Sequence, residues 1–176
     1  CALPIFAEAG GNVNRGIVTN LKCETSLKDV YAAGDCSESL NSATGKLQVM
    51  ALLPNAYIQG EAAGINMAGG MKLYDDAIPM NSIGFWDIHV TTAGSYEGRE
   101  IVRRDDDNYK KLIVSDDKKL LKGFILIGDI KRAGIYTRLI REKVPLDTID
   151  FDEMIEKPQE MAFPSSVRKM YMGGVM

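Results

Sequence analysis

Apolar and polar positions alternate in short blocks through the first part of the chain, and the blocks predict small elements. Pro4 to Ala9 can form a short helix that ends at Gly10–Gly11. Gly16–Ile17–Val18–Thr19 reads as a strand, and the polar stretch from Asn20 to Lys28 as a loop. Val30, Tyr31, Ala32 and Ala33 form an apolar run with a β-branched and an aromatic residue, which predicts a buried strand cut off by Gly34–Asp35. The segment Gly34 to Ser39 is then expected to be a site loop, and Asn41 to Gly45 an exposed one. From Leu47 the chain turns apolar. Pro54 suits a first helical turn, so a helix is predicted from about Pro54 to Ala68, ended by Gly69–Gly70. Ala56, Gln59, Gly60, Ala63, Gly64 and Met67 fall on one stripe of it. Gly60 and Gly64, four apart, are expected to let a neighbouring backbone approach closely.

The pattern changes after residue 73. Leu73 to Met80, with Asp75–Asp76 and Pro79, reads as a linker, which divides the chain into residues 1–73 and 74–176. Strand-like runs follow at Phe85–Thr92, Arg99–Arg103 and Tyr109–Val114, with a turn at Asp105–Asn108. Asp116–Asp117 closes a hairpin to Leu120–Ile127, in which Phe124 to Ile127 has the composition of a central strand. Asp129 is placed to cap a helix whose apolar stripe is Ala133, Tyr136, Leu139 and Ile140, with Pro145 after its end. Phe151 to Ile155 can add a helical turn, and Phe163 to Met176 forms a tail that includes Met170, Tyr171 and Met172. Antiparallel strands followed by helices predict an α+β arrangement here. Phe85, Trp86, Ile88 and Val90 cannot share one face of a regular strand, so one large side chain needs cover on the second face. Either the tail or a second copy of the chain could supply it.

Hydrophobic residues make up 45% of the chain, enough for a packed core, and the net charge of −3 argues against a nucleic-acid or anionic-membrane partner. No apolar run is long enough to span a bilayer, and the N-terminus lacks a basic-then-apolar leader, so a cytoplasmic protein is expected. Cys1, Cys23 and Cys36 lack C-x-x-C spacing, so neither a disulfide scaffold nor a metal site is expected.

Candidate chemistry centres on Gly34–Asp35. A glycine lets a ligand approach the backbone, and a carboxylate at a strand end suits a polyol whose hydroxyls donate to it. Thr25–Ser26 with Asp29–Val30–Tyr31–Ala32–Ala33–Gly34–Asp35 resembles the second flavin motif of the FAD-dependent pyridine nucleotide-disulfide oxidoreductases. The resemblance extends to Glu8–Ala9–Gly10, Asn14–Arg15–Gly16–Ile17–Val18, Leu53–Pro54–Asn55–Ala56 and Gln59–Gly60, and then over most of the remaining chain. It is strongest to the NADH oxidase, nitrite reductase and rubredoxin reductase branches. It implies that Asp35 holds the ribityl chain of FAD and that a backbone N–H near Gly34 approaches the pyrophosphate. It also implies that the helix start at Pro54, Asn55 and Ala56 points its N–H groups at the flavin ring.

The fold class so implied is α+β, α/β overall. A remnant of an FAD-binding domain is followed by an α+β C-terminal dimerisation domain with an antiparallel sheet. NAD(P)H is then the co-substrate, a homodimer the expected assembly, and a redox partner protein or domain a possible acceptor. The G-x-G-x-x-G turns with which the family holds FAD and NAD(P)H do not occur here. The chain therefore reads as the C-terminal part of a larger flavoenzyme, and one not expected to retain FAD alone. The alternative is a non-catalytic association module that binds no cofactor. No catalytic residue is assigned. His89, the single histidine, lies in a strand rather than in the family's acid/base motif. Asp105–Asp107 reads as a solvated turn, Gly128–Asp129 as a strand end with a cap, and Cys36 as a reduced thiol.

Overall fold

The computed structural model describes residues 3–164; Met170, Tyr171 and Met172 lie outside them. The chain divides after Pro79 into two compact units.

The first unit contains helix α1 (Leu3–Glu8), strand β1 (Ile17–Val18), a 3-10 turn at Gly34–Cys36, strands β2 (Ser37–Asn41) and β3 (Lys46–Gln48), and helix α2 (Leu53–Met67). β1 runs parallel to β2, with Ile17 opposite Ser37, and β2 pairs antiparallel with β3, with Leu40 opposite Leu47. The apolar core is small: Cys23, Met50, Ala62, Ala63, Tyr74 and Ala77. Tyr74, Ala77 and Ile78, in the stretch that reads as a linker, are all buried to 1% exposure or less. The buried face of α2 is unusually polar, made of Asn55, Gln59, Ala62, Ala63 and Asn66.

Three expectations for this unit are corrected. Val30–Ala33 is not a strand; only Tyr31 bridges to Glu24, and the chain bends into the 3-10 turn that carries Asp35. The strand lies instead at Ser37–Asn41, where polar residues predicted a loop. These polar residues are buried because each finds a partner. The Glu38 carboxylate accepts the backbone N–H groups of Arg15 at 3.0 Å and Gly16 at 3.3 Å, and the Asn14 amide at 3.1 Å. Gly60 and Gly64 do not mark a close backbone approach, since a methyl group built on either meets open space.

The second unit is a five-stranded antiparallel sheet in the order β4-β5-β8-β7-β6. Its strands are β4 (Met80–Phe85), β5 (Ile88–Gly94), β6 (Arg99–Arg104), β7 (Tyr109–Val114) and β8 (Leu121–Ile127). Where the sequence predicts one strand over Phe85–Thr92, two form, because the chain reverses at Trp86, which takes a positive φ of 51°. Gly94 and Gly123 face each other across β5 and β8. A side chain on Gly94 would run into the backbone oxygen of Lys122, and Gly94 itself has φ +81°.

Helix α3 (Ala133–Arg141) packs on β8 and β5, and α4 (Phe151–Glu156) follows it. α3 begins four residues after Asp129, with Arg132 at its N-cap and no side-chain cap. Asp129 is therefore not the cap; its carboxylate accepts the Lys131 N–H at 3.0 Å and closes a turn. Leu112, Ile113, Phe124, Leu126, Tyr136, Leu139 and Met154 form the core at 1% exposure or less. Complete burial of each aliphatic or Phe side chain stabilises by roughly 1.5–3 kcal/mol before entropy is subtracted. The Phe124 and Tyr136 rings lie 5.7 Å apart, and the Tyr136 hydroxyl donates to the Met154 carbonyl at 2.7 Å. That bond ties α3 to α4, which Asp150 caps by accepting the Glu153 N–H at 3.0 Å.

Burial, reinforced by the charge of Glu156, pushes the Tyr136 phenol well above its usual range. The folded state therefore holds this proton more tightly than the unfolded chain. The stability it contributes is complete below the unfolded phenol's pKa of about 10 and is lost as pH rises above it, at up to about 1.4 kcal/mol per pH unit. Urea unfolding of the protein and of Tyr136→Phe, from pH 8 to pH 11, measures this. The variant should be about 1 kcal/mol less stable at neutral pH and lose less stability at high pH. Equal slopes for the two proteins would exclude Tyr136 as the source.

Candidate functional site

The site begins with a backbone constraint at Gly34. Its φ of +78° lies in the left-handed region, and this conformation turns its N–H inward to donate to Gln59 Oε1 at 2.6 Å. The Ser37 hydroxyl, at the other end of the 3-10 turn, lies 2.8 Å from the Gly34 carbonyl and 2.9 Å from Gln59 Oε1. Gln59 Nε2 donates to Ser39 Oγ at 2.8 Å. Gln59 is 2% exposed, so its bonds form away from water. A methyl group on Gly34 would lie 3.6 Å from the side chain of Ala56, which sets the turn against the start of α2.

Asp35 is the middle residue of the turn and stays exposed. The N-terminus of α2 beside it is open. Leu52 provides no side-chain cap, and no acidic residue occupies the first turn. Peptide dipoles give such an end a partial positive charge. A carboxylate acceptor next to uncapped N–H groups suits a ligand that offers both hydroxyl donors and carbonyl or anionic acceptors.

Of the residues singled out from sequence, Gly34, Asp35 and Ala56 come together, with Pro54 exposed at the helix start. The Asn55 side chain turns the other way. It is 2% exposed and its Nδ2 donates to the Ile78 carbonyl at 3.3 Å. Cys36 is half-buried, with its thiol directed at the Ala33 carbonyl at 3.5 Å. Cys23 is buried against the Gln59 carbonyl at 3.6 Å, and burial pushes its thiol pKa up. His89 is exposed on β5 opposite Gly84. Asp105 accepts the N–H groups of Asp107 and Asn108 at 2.9 and 2.8 Å and so closes its own turn. Sequence reasoning missed the roles of Gln59, Ser37 and Ser39. For Gln59 the available signals were its place among small residues on one stripe of a predicted helix and its place in the Gln59–Gly60 pair of the family resemblance.

Residues 79–144 match the rubredoxin NAD+ reductase C-terminal domain. Over 140 residues the chain is 33% identical to the epsilon subunit of the NADH-dependent phenylglyoxylate dehydrogenase of Aromatoleum evansii, covering 75% of this chain and 33% of that protein. Over 139 residues it is 27% identical to the NADH-rubredoxin oxidoreductase of Clostridium acetobutylicum, covering 77% of this chain and 35% of the relative. The chain thus spans about a third of the length of these curated relatives. A NAD-dependent persulfide reductase from A. fulgidus has the same fold, with a TM-score of 0.77 at 20% identity over 97% of this chain and 37% of that one.

The turn geometry makes Gly34→Ala a test of backbone strain alone, since the new methyl would meet Ala56 at an ordinary contact distance. The substitution should cost about 1–2 kcal/mol in urea denaturation, the price of left-handed backbone in a residue with a Cβ. Unchanged stability would mean that the turn does not need this conformation.

Proposed function

This chain is a C-terminal part of a pyridine nucleotide-disulfide oxidoreductase, and from that premise we propose that it supplies one side of an FAD site in an NAD(P)H oxidoreductase. The observation that carries the proposal is the Gly34–Asp35 turn, fixed against Ala56 and leaving an exposed carboxylate beside the uncapped start of α2. In this reading Asp35 accepts hydrogen bonds from the ribityl hydroxyls. The backbone at Pro54–Ala56 faces the ring's pyrimidine edge, where the helix dipole favours negative charge. The donor set fits the group, because a ribityl chain donates and a flavin ring edge accepts. FAD, when bound, supplies the two-electron chemistry between NAD(P)H and the acceptor. The role of this chain is to bind and orient.

The relative from Clostridium acetobutylicum is named for rubredoxin, and a redox partner protein or domain is proposed as the acceptor here too. The reading assigns the enzyme to the cytoplasm. Among the described residues no helix is long and apolar enough to cross a membrane. We also propose a homodimer formed through the second unit. Ile83, Phe85, Trp86 and Ile88 on the β4–β5 hairpin are 55%, 63%, 87% and 54% exposed, and the Phe85 and Trp86 rings lie 4.6 Å apart. Exposed aromatic and aliphatic side chains so close together favour a protein interface. Phe163 is not available for that contact. It is 4% exposed, with the Arg138 guanidinium 5.6 Å from its ring centre.

In the full-length protein Asp35→Ala should weaken FAD binding by about 1.5–3 kcal/mol, the worth of a charge-assisted hydrogen bond. The present chain alone should purify colourless, because it lacks the glycine turns that hold the rest of the cofactor. Unchanged FAD affinity in the variant would overturn the role of Asp35, and a yellow preparation of the chain would show a more complete site than proposed. Light scattering at micromolar concentration tests the assembly. A dimer that Trp86→Ala weakens supports the hairpin contact, and a monomer refutes it.

A further inference from the structure

We propose that Gln59 is the positioning residue of this site: its buried amide fixes the Gly34–Asp35 turn against α2, so that the Asp35 carboxylate and the open helix end face one ligand together. The inference rests on the flavin reading above. It adds a residue that touches no ligand yet governs the spacing of the two elements that would.

Three observations converge on Gln59. First, its side chain reaches three separate points of the chain from one helical position. Oε1 takes the N–H at the start of the turn and lies within reach of the Ser37 hydroxyl at its end, while Nε2 holds Ser39 in β2. Second, these bonds are made at 2% exposure, where water cannot replace a lost partner. Third, Gln59 lies between two other buried amides on the same helix. Asn55 anchors the first turn of α2 to the Ile78 carbonyl. Asn66 anchors the last to the carbonyls of Lys22 and Lys72, at 2.9 and 2.8 Å. The helix is therefore held at both ends by other groups, and Gln59 alone among the three binds the turn. Loss of its amide would release the turn and leave the helix in place.

The geometry also separates this role from plain core packing. An apolar side chain of the same length fills the volume but strands the Gly34 N–H. A carboxylate of the same shape keeps an acceptor for that N–H and for the Ser37 hydroxyl, and the Ser39 hydroxyl can rotate to donate to it. Gln59→Met and Gln59→Glu therefore remove and preserve the contact that matters.

The experiment uses the full-length protein and two readouts, hydrogen exchange of peptides covering Ala32–Ser39 and the dissociation constant for FAD. In Gln59→Met, exchange at the turn and the FAD dissociation constant should each rise about tenfold, the ratio expected for one ordinary hydrogen bond. Peptides from β7 and β8 should be unchanged. Gln59→Glu should restore both quantities to within about threefold of the parent. Parent-like exchange and affinity in Gln59→Met overturns the proposal, as does faster exchange with unchanged FAD affinity. If Gln59→Met does not fold, Gln59→Glu decides: a protected turn with parent-like affinity supports the role, and a second unfolded variant reduces Gln59 to a core residue. A parent protein that carries no flavin refutes the cofactor reading, and the exchange data then judge the positioning role by themselves.

Discussion

A buried polar side chain must satisfy its hydrogen bonds inside the protein, and the first unit is built on that constraint. Its apolar core contains few large side chains, and alanines carry much of the helix packing. Around that core Ser37, Glu38, Ser39, Asn41, Asn55, Gln59 and Asn66 are all at 8% exposure or less. In such a core, order comes from direction rather than volume. A hydrogen bond fixes an angle and a partner, whereas an apolar contact tolerates sliding. A stranded donor or acceptor costs about 1–3 kcal/mol, so the arrangement that satisfies the whole set is strongly preferred over near neighbours. The second unit follows the other strategy, in which a sheet face and the stripe of α3 bury large side chains against each other.

This contrast explains what could be read from sequence. The second unit was largely legible because its order depends on pattern. Tyr109–Val114 emerges with the same limits, and the following strand differs by one residue at its start. The helix stripe of Tyr136, Leu139 and Ile140 is the buried one. β4 escaped notice because Asn81, Ser82 and Gly84 interrupt any apolar alternation. The reversal after it uses Trp86, a residue with no turn preference. In the first unit the pattern misleads. Val30–Ala33 looks like a strand but makes only an isolated bridge at Tyr31, while Ser-Glu-Ser-Leu-Asn looks like a loop and forms β2. Hydrophobicity cannot announce a strand whose burial is made possible by amides and hydroxyls elsewhere in the chain.

The site shows the same division. Gly34 and Asp35 could be singled out because a glycine and a carboxylate have plain local meanings. The fate of Asn55 could not, since its side chain serves the Ile78 carbonyl, twenty-three residues away. Nor could the coupling through Gln59, which joins positions far apart in sequence. The family resemblance directs attention to this segment, and the hydrogen bonds show which group holds which within it.

Two carboxylates three residues apart make the physical distinction clearest. Asp35 and Glu38 are chemically alike and sit in one short segment, yet they end in opposite circumstances. Glu38 is 2% exposed and faces the Asn14–Gly16 loop, whose amide and backbone N–H groups occupy its oxygens. It is spent on structure. Asp35 projects from the 3-10 turn into solvent. The difference arises at Gly34, because its left-handed backbone ends the approach to the turn and lets the chain enter β2 by Ser37. Glu38 then follows into the sheet, while Asp35 remains outside it. A ligand that needs an acceptor at this point of the fold therefore finds one carboxylate exposed and the other already engaged, and the same glycine that exposes the first also donates the N–H that Gln59 holds.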